Sequence, residues 1–412
     1  MQCCKNTVSL WFNTTQIQMN RFLRAFFGIL FFLMTCKGEA SFAQIDTFFV
    51  ARSTGAMAYL NYGLGTDRLG GAKMGYIDSL VLLKITARHN DLYRVRLAPN
   101  LSAWIPQNMV RPDTTTKMQV QNLTGSWRVW GDDRSDYLSV GLPERLPYRS
   151  WQEVSPSKVC IEIFGATANT NWITQLKSAR EIKNVDYQQV SDDIFRITIQ
   201  LKHPQHWGYQ VNYVGKRLTV RVSRQPKSLK IRGLTVALDP GHGGTNLGAV
   251  GRNSGVFEKD LNLSIVLLLQ KELERKGATV RLTRNKDTLI GNNDRVLKMR
   301  QQSPDVLISI HNNAAADSTV GGTSTYYKHL GFRSLSEKIL RRLLQLDLKE
   351  YGNVGSFNFA FNGPTEYPNV LVEGAFMSNA EEEKQLLDAR FQKAMAKKIA
   401  RGLKDWLKSI PK

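Results

Sequence analysis

An α/β domain built on a mostly parallel sheet with helices on both faces, preceded by two small all-β domains, is the architecture that this 412-residue sequence predicts. Three observations carry that expectation. From Leu234 onward, short apolar runs of strand length alternate with longer patterns of helical period, the signature of parallel strands joined by crossover helices. Between residues 45 and 225 the chain instead alternates apolar and polar residues in short runs broken by Asn, Asp and Gly, as antiparallel sheets with one wet face do. The length exceeds one ordinary core, and 42% hydrophobic with 22% charged residues is the balance of a globular chain.

At the amino end, Arg21 and Arg24 precede an apolar stretch from Ala25 to Met34, and Ser41-Phe-Ala43 offers small residues at the spacing a signal peptidase accepts. The stretch is too short to span a membrane as a helix. Residues 1–43 therefore read as a cleaved export signal, with 1–18 an upstream extension. The mature chain is expected to have no transmembrane segment and to reside in the periplasm or cell envelope. Leu33-Met-Thr-Cys36 leaves lipidation of Cys36 as an alternative. With Cys3, Cys4 and Cys36 in the presequence, Cys160 alone remains, so no intramolecular disulfide framework forms. The net charge is +21. An exported chain without a compact Lys/Arg tract or an aromatic RNA-binding signature excludes nucleic acid, which leaves an acidic wall polymer or outer-membrane surface as the attractor.

The first β unit spans 45–111, with strands expected at Leu80-Val-Leu-Leu-Lys-Ile85 and Leu92-Tyr-Arg-Val-Arg-Leu97. Its close, Ala103-Trp-Ile-Pro-Gln-Asn-Met-Val110, resembles the end of a bacterial SH3 domain. That resemblance implies a small β-barrel of a kind that binds cell-wall peptides, with Trp104 and Tyr59 either stacking on ligand or packing in the core. A polar, Thr-rich link follows. The second unit, 118–225, has strands at 158–164, 194–201 and 217–222, with 209–214 a further candidate, and is expected to form an antiparallel sandwich. It is similar to AMIN targeting domains.

The α/β domain spans 231–410. Strand Leu234–Leu238 leads into Asp239-Pro-Gly-His-Gly-Gly244, where glycines 241, 243 and 244 are expected to turn the backbone at positive φ and hold His242 at a strand end. Strand Val306–Ile310 ends at His311-Asn312-Asn313, and Val370-Leu-Val-Glu373 ends in a carboxylate. Glu258 stands just ahead of a helix patterned by Leu261, Ile265, Leu268 and Leu269. Carboxyl ends of strands and adjoining helix starts form the crevice of an open α/β sheet, so these four groups share one address. Two neutral imidazoles and a carboxylate suit one zinc ion with a fourth position open to water. A second carboxylate then serves as proton carrier. His242, Glu258 and His311 are the expected ligands and Glu373 the catalytic general base and acid.

These blocks, Asp239-Pro-Gly-His-Gly-Gly with Gly248-Ala-Val, Glu258-Lys-Asp, Ser309-Ile-His311-Asn-Asn-Ala, and Val372-Glu373-Gly-Ala-Phe-Met-Ser-Asn379, resemble those of zinc-dependent N-acetylmuramoyl-L-alanine amidases of the amidase-3 family. The resemblance implies the same ligand set and catalytic glutamate, and peptidoglycan as the partner, cut at the amide joining N-acetylmuramic acid to L-alanine. Its activator, if it has one, is unknown. A noncatalytic peptidoglycan-binding protein on the same scaffold and a zinc peptidase cutting within the stem peptide are the alternatives. Asn312, Asn313, Arg284 and Arg295 are candidate substrate contacts. The two arginines hold either the site's carboxylates or an anionic stem, with helix-start or surface ion pairs as the alternative. Tyr351-Gly-Asn-Val-Gly-Ser-Phe-Asn358 departs from the family pattern, and only one modest helix fits between Tyr327 and Tyr351, which implies no autoinhibitory insertion. Glu381-Glu-Glu383 reads as a solvated helix start, and His89, His203, His206 and His329 as structural or surface residues.

Overall fold

The computed structural model describes residues 45–65, 70–116 and 121–411, so the expected export signal and Cys36 lie outside the described residues. In the α/β domain six strands form one sheet: β1 (Thr235–Pro240), β2 (Thr279–Leu282), β3 (Val306–Asn313), β4 (Thr323–Tyr326), β5 (Glu350–Val354) and β6 (Asn369–Phe376), in the order β2-β1-β3-β6-β4-β5. Every neighbouring pair is parallel except β4 with β6. Strand β5 escapes the sequence pattern because it lies at an edge and carries no apolar run. Five helices accompany the sheet: α1 (Glu258–Arg275), α2 (Asn292–Gln302), α3 (Arg333–Leu343), α4 (Ala380–Leu387) and α5 (Ala389–Ser409).

Alternation along the strands sorts the two faces. Val236, Leu238, Val306, Ile308, Ile310, Val370 and Val372 point to one face, where they meet Leu261, Ile265 and Leu269 of α1, Leu335 and Ile339 of α3, and Met395, Ile399 and Trp406 of α5. Ala237 and Leu307 point to the other, against Val296 and Met299 of α2, Phe361, Tyr367 and Met57. The expected helices on both faces are therefore unequal. The second face has only the 11-residue α2, and Met57 of the first β unit completes its cover.

The first β unit is a seven-stranded sheet and the second a sandwich of a five-stranded and a four-stranded sheet. In the sandwich Val159, Ile161 and Ile163 lie opposite Ile199, Ile197 and Phe195 on one sheet, and Leu138 sits between Val129 and Val220 on the other. All are fully buried, which is why period-two alternation foretold these strands. The units are not separate beads, since from Thr47 onward the chain forms one compact unit. One apolar core runs from the first sheet into the sandwich, and Arg52 ties Asp113 to Glu144 across them at 2.7 and 3.1 Å. The sandwich is fixed to the α/β domain through Trp207 and Trp406, with ring centroids 5.1 Å apart, and through Gln205, which accepts from Trp406 Nε1 and donates to the Gly331 carbonyl.

The Glu381-Glu-Glu383 run does start a helix, capped by Asn379, but the expectation that it is solvated needs correction. Glu382 accepts from the backbone N–H of Gly322 and Phe376, and Glu383 from Asn253 and Ser254. Both are buried loop anchors. Among the described residues no helix is long and apolar enough to cross a membrane.

Trp406→Ala removes the buried ring that packs on Trp207 between α5 and the sandwich and is expected to cost about 3–5 kcal/mol, read by urea unfolding of the intact chain. Burial, with Glu153 nearby, pushes the Cys160 thiol up to about 12. Iodoacetamide should therefore leave Cys160 unmodified in the native protein and alkylate it in urea, as peptide mass spectrometry would read.

Candidate metal centre

Strand β1 ends at Pro240 and the chain turns at once. Positive φ falls at His242 (61°), Gly243 (135°) and Gly244 (59°), so Gly241 is not one of the left-handed residues as expected. Its role is proximity, because a Cβ there would lie 2.2 Å from the His311 ring. Gly248, at φ 70°, is squeezed likewise, with its virtual Cβ 2.4 Å from Glu258 Oε2 and 2.7 Å from the His242 ring. A left-handed histidine is strained by about 1–3 kcal/mol and persists only where its surroundings over-determine it.

Two arginines do so. Arg284 donates to the carbonyls of Pro240, Gly241 and Lys259 at 3.1, 2.9 and 2.7 Å. Arg295 donates to Pro240 O and Asp239 Oδ1 at 2.8 and 2.9 Å, and to the His242 carbonyl. Asp239, 1% exposed, also accepts from Thr283 and Ser309 at 2.6 and 2.7 Å. Both arginines are 2% exposed. The reading of Arg284 and Arg295 as substrate contacts is thereby corrected: their donors are spent on the backbone that carries His242.

The trio itself converges. One ligand atom from each of His242, Glu258 and His311 lies within 4.8 Å of the others. Glu258 is the first residue of α1, where the helix dipole favours a carboxylate. Its Oε2 meets His242 Nε2 at 3.1 Å and its Oε1 meets His311 Nδ1 at 3.0 Å. Burial disfavours charge on Glu258, but the hydrogen bonds with the two imidazoles outweigh it and hold the carboxyl well below the usual carboxylate range. Burial likewise opposes an imidazolium at His311, yet Glu258, with Glu373 and Asp239 further off, raises it to about 9. A cation held by the three residues would take the place of that proton. The donor set fits a metal that prefers nitrogen and carboxylate ligands in a tetrahedron with one position left over.

A second ring of polar groups aims the ligands. His242 Nδ1 lies 2.8 Å from Asn246 Oδ1, which selects the tautomer that leaves Nε2 free to ligate. Asn262, one turn along α1, donates to Glu258 Oε1 at 3.0 Å and accepts from Asn312 Nδ2 at 2.8 Å. Asn312, 2% exposed, therefore positions Glu258 and does not face substrate, a second correction. Asn313, half-buried, accepts from the Ala314 N–H at 2.9 Å through its Oδ1. Asn246 and Asn262 were missed by the sequence reading, although Asn262 carried a signal in its i, i+4 spacing from Glu258. Glu373 lies on β6 in register with His311 on the adjacent parallel strand and is 7% exposed. His89, His203, His206 and His329 take no part in the cluster.

Two imidazoles and a carboxylate at the carboxyl edge of a mixed α/β sheet define an α/β domain with a candidate site for one metal ion. Comparison with known proteins refines this. Residues 236–405 match the N-acetylmuramoyl-L-alanine amidase family model, and residues 126–222 match the AMIN domain. A probable cell wall amidase, LytH of Staphylococcus aureus, is 32% identical over 175 residues, 42% of this chain and 58% of its own length. The chain thus spans little more than half of that curated relative. The catalytic domain of CwlV, an N-acetylmuramoyl-L-alanine amidase from Bacillus (Paenibacillus) polymyxa var. colistinus, is 32% identical, with 42% of this chain and 98% of that one covered and a TM-score of 0.41. AmiC2 of Nostoc punctiforme, also an N-acetylmuramoyl-L-alanine amidase, is 31% identical with 42% and 97% covered and a TM-score of 0.40. Through its α/β domain the chain is thus similar to N-acetylmuramoyl-L-alanine amidases, and the sandwich ahead of it matches the AMIN domain.

Asn246→Ala removes the acceptor for His242 Nδ1 and is expected to weaken metal binding by about 10–100-fold without lowering the melting temperature. Equilibrium dialysis against a chromogenic chelator measures it, and unchanged affinity would mean that the ring is oriented by other contacts.

Proposed function

We propose that the α/β domain hydrolyses, with one zinc ion, the amide bond between N-acetylmuramic acid and the L-alanine of the peptidoglycan stem. The observation that carries this reading is the convergence of His242, Glu258 and His311 within 4.8 Å beside Glu373, in register with His311 on the next strand. The substrate follows from the family model that residues 236–405 match. His242, Glu258 and His311 hold the metal. What bound zinc supplies at such a site is Lewis acidity, polarising a carbonyl and making water a better nucleophile near neutral pH.

The chain's own groups do the rest. Glu373 takes the proton of the attacking water and returns it to the leaving nitrogen of L-alanine, a transfer that needs the carboxylate ionised at the outset and protonated in the middle of the reaction. Arg284 and Arg295 keep the His242 turn from relaxing as charge moves. The residue 45–111 unit, read as SH3-like, and the AMIN domain hold the enzyme against the wall, so the site of action is the cell envelope.

The test is release of amino termini from purified peptidoglycan. Glu373→Gln should retain zinc and lose about 10²–10⁴-fold in turnover, while His242→Ala should lose zinc and activity together, and a chelator should abolish release in a zinc-reversible way. Mass spectrometry of the products must show intact stems beginning with L-alanine. Fragments cut inside the stem would replace this reading with a peptidase, and no release by the zinc-loaded chain would end it.

A further inference from the structure

A cleft of about 510 Å³ opens between the sandwich and the α/β domain, lined by Gly233, Leu234, Ser303, Pro304 and Asp305 from the latter. Those residues sit at the amino ends of β1 and β3, whereas the metal trio stands at their carboxyl ends. A six-residue strand separates the two by roughly 20 Å. The cleft is therefore no part of the centre already described.

Its chemistry is cationic beyond what its own carboxylates balance. Of the lining groups, Arg224 is spent on Asp136, Arg300 on Glu366 and His203 on Glu181. Arg134, Arg180, Lys202, Arg221, Lys227 and Arg232 also line the cleft and, among the described residues, enter no ion pair. Arg221 Nε is buried without a hydrogen-bond partner, a desolvated donor that is costly unless a ligand meets it. Tyr367, 1% exposed, lines the cleft and its hydroxyl is also without a partner among the described residues. The wall is built to hold this shape. Asp136, fully buried, accepts from the backbone N–H of Arg180, Glu181 and Ile182 and from Arg224 Nε.

We infer that this cleft binds a ligand carrying two or more phosphate groups, either free or as the headgroup of a lipid. Four of the six uncommitted cations are arginines, whose planar forks match phosphate oxygens two at a time. Phosphates concentrate negative charge more densely than carboxylates do, and a space of this size holds a headgroup, not a polymer's full width. Such a ligand anchors the protein by the edge of the sheet opposite the metal, leaving the centre free to work.

The experiment titrates the full chain with inorganic pyrophosphate by calorimetry. In parallel it measures co-flotation with phosphatidylcholine vesicles, with and without a lipid bearing a bisphosphate headgroup. Pyrophosphate is expected to bind, and the Arg221→Gln/Arg232→Gln double variant to bind it about tenfold or more weakly, with unchanged melting and unchanged hydrolysis of a soluble substrate. If that variant fails to fold, Lys202→Gln/Lys227→Gln, on exposed positions, carries the same expectation. Vesicle binding displaced by pyrophosphate assigns the headgroup source, and pyrophosphate binding without flotation assigns the soluble one; both support the site. No pyrophosphate binding overturns it, with or without flotation. So does an equal loss in Lys393→Gln/Lys397→Gln, exposed on α5 far along the chain, because the effect is then diffuse charge.

Discussion

The carbonyls of Pro240, Gly241 and His242 all turn toward the interior at the end of β1, and the site depends on their being satisfied there. Carbonyls turned inward need fixed donors in place of water. Arg284 and Arg295 supply these, each buried and each reaching several acceptors. Arg295 is neutralised by Asp239 at 2.9 Å, and Asp239 in turn gathers Thr283 at the end of β2 and Ser309 in β3. Three neighbouring strands are thus tied to one carboxylate. That frame holds the left-handed His242, and in this conformation its ring meets Glu258.

Glu258 then carries the second constraint. It is buried at the start of a helix and accepts from His242, His311, Asn262, Ala249 and Asn312. A carboxylate so surrounded stays ionised, which is the state a metal ligand requires. The same bonds raise the proton affinity of His311, so a metal bound there would have to displace a proton. Gly241 and Gly248 leave the space in which these groups approach one another, and a methyl group at either would occupy it.

The architecture around the centre departs from three independent domains in a line. The first β unit and the sandwich share one apolar core, and Met57 joins the cover on the thin face of the α/β sheet. Where the sandwich meets the α/β domain, the contact closes around Trp207 and Trp406 on one side and leaves a basic cleft on another. Two β units that the chain's pattern presents as appendages are, in three dimensions, walls of the structure that holds the centre.

The cluster of His242, Glu258 and His311 was legible in the sequence as a candidate metal site because such chemistry demands particular residue types and their placement demands strand ends, glycines and a helix start. His242, Glu258, His311 and Glu373 each stand at such a junction, and period-two alternation foretold Ile194–Leu201 because one side of that strand is buried and the other is not. Strand Glu350–Val354, at an edge with no core face of its own, left no such trace. Nor could sequence tell what Arg284, Arg295 and Asn312 touch. Polar side chains near a site have the same composition whether they face a substrate or brace the site, and only the packing of β1 against β2, β3 and α2 set the arginines on backbone carbonyls and Asn312 on Asn262. The cleft between sandwich and sheet likewise exists in no single segment, since its cations come from both sides of a junction that forms only when the chain has folded.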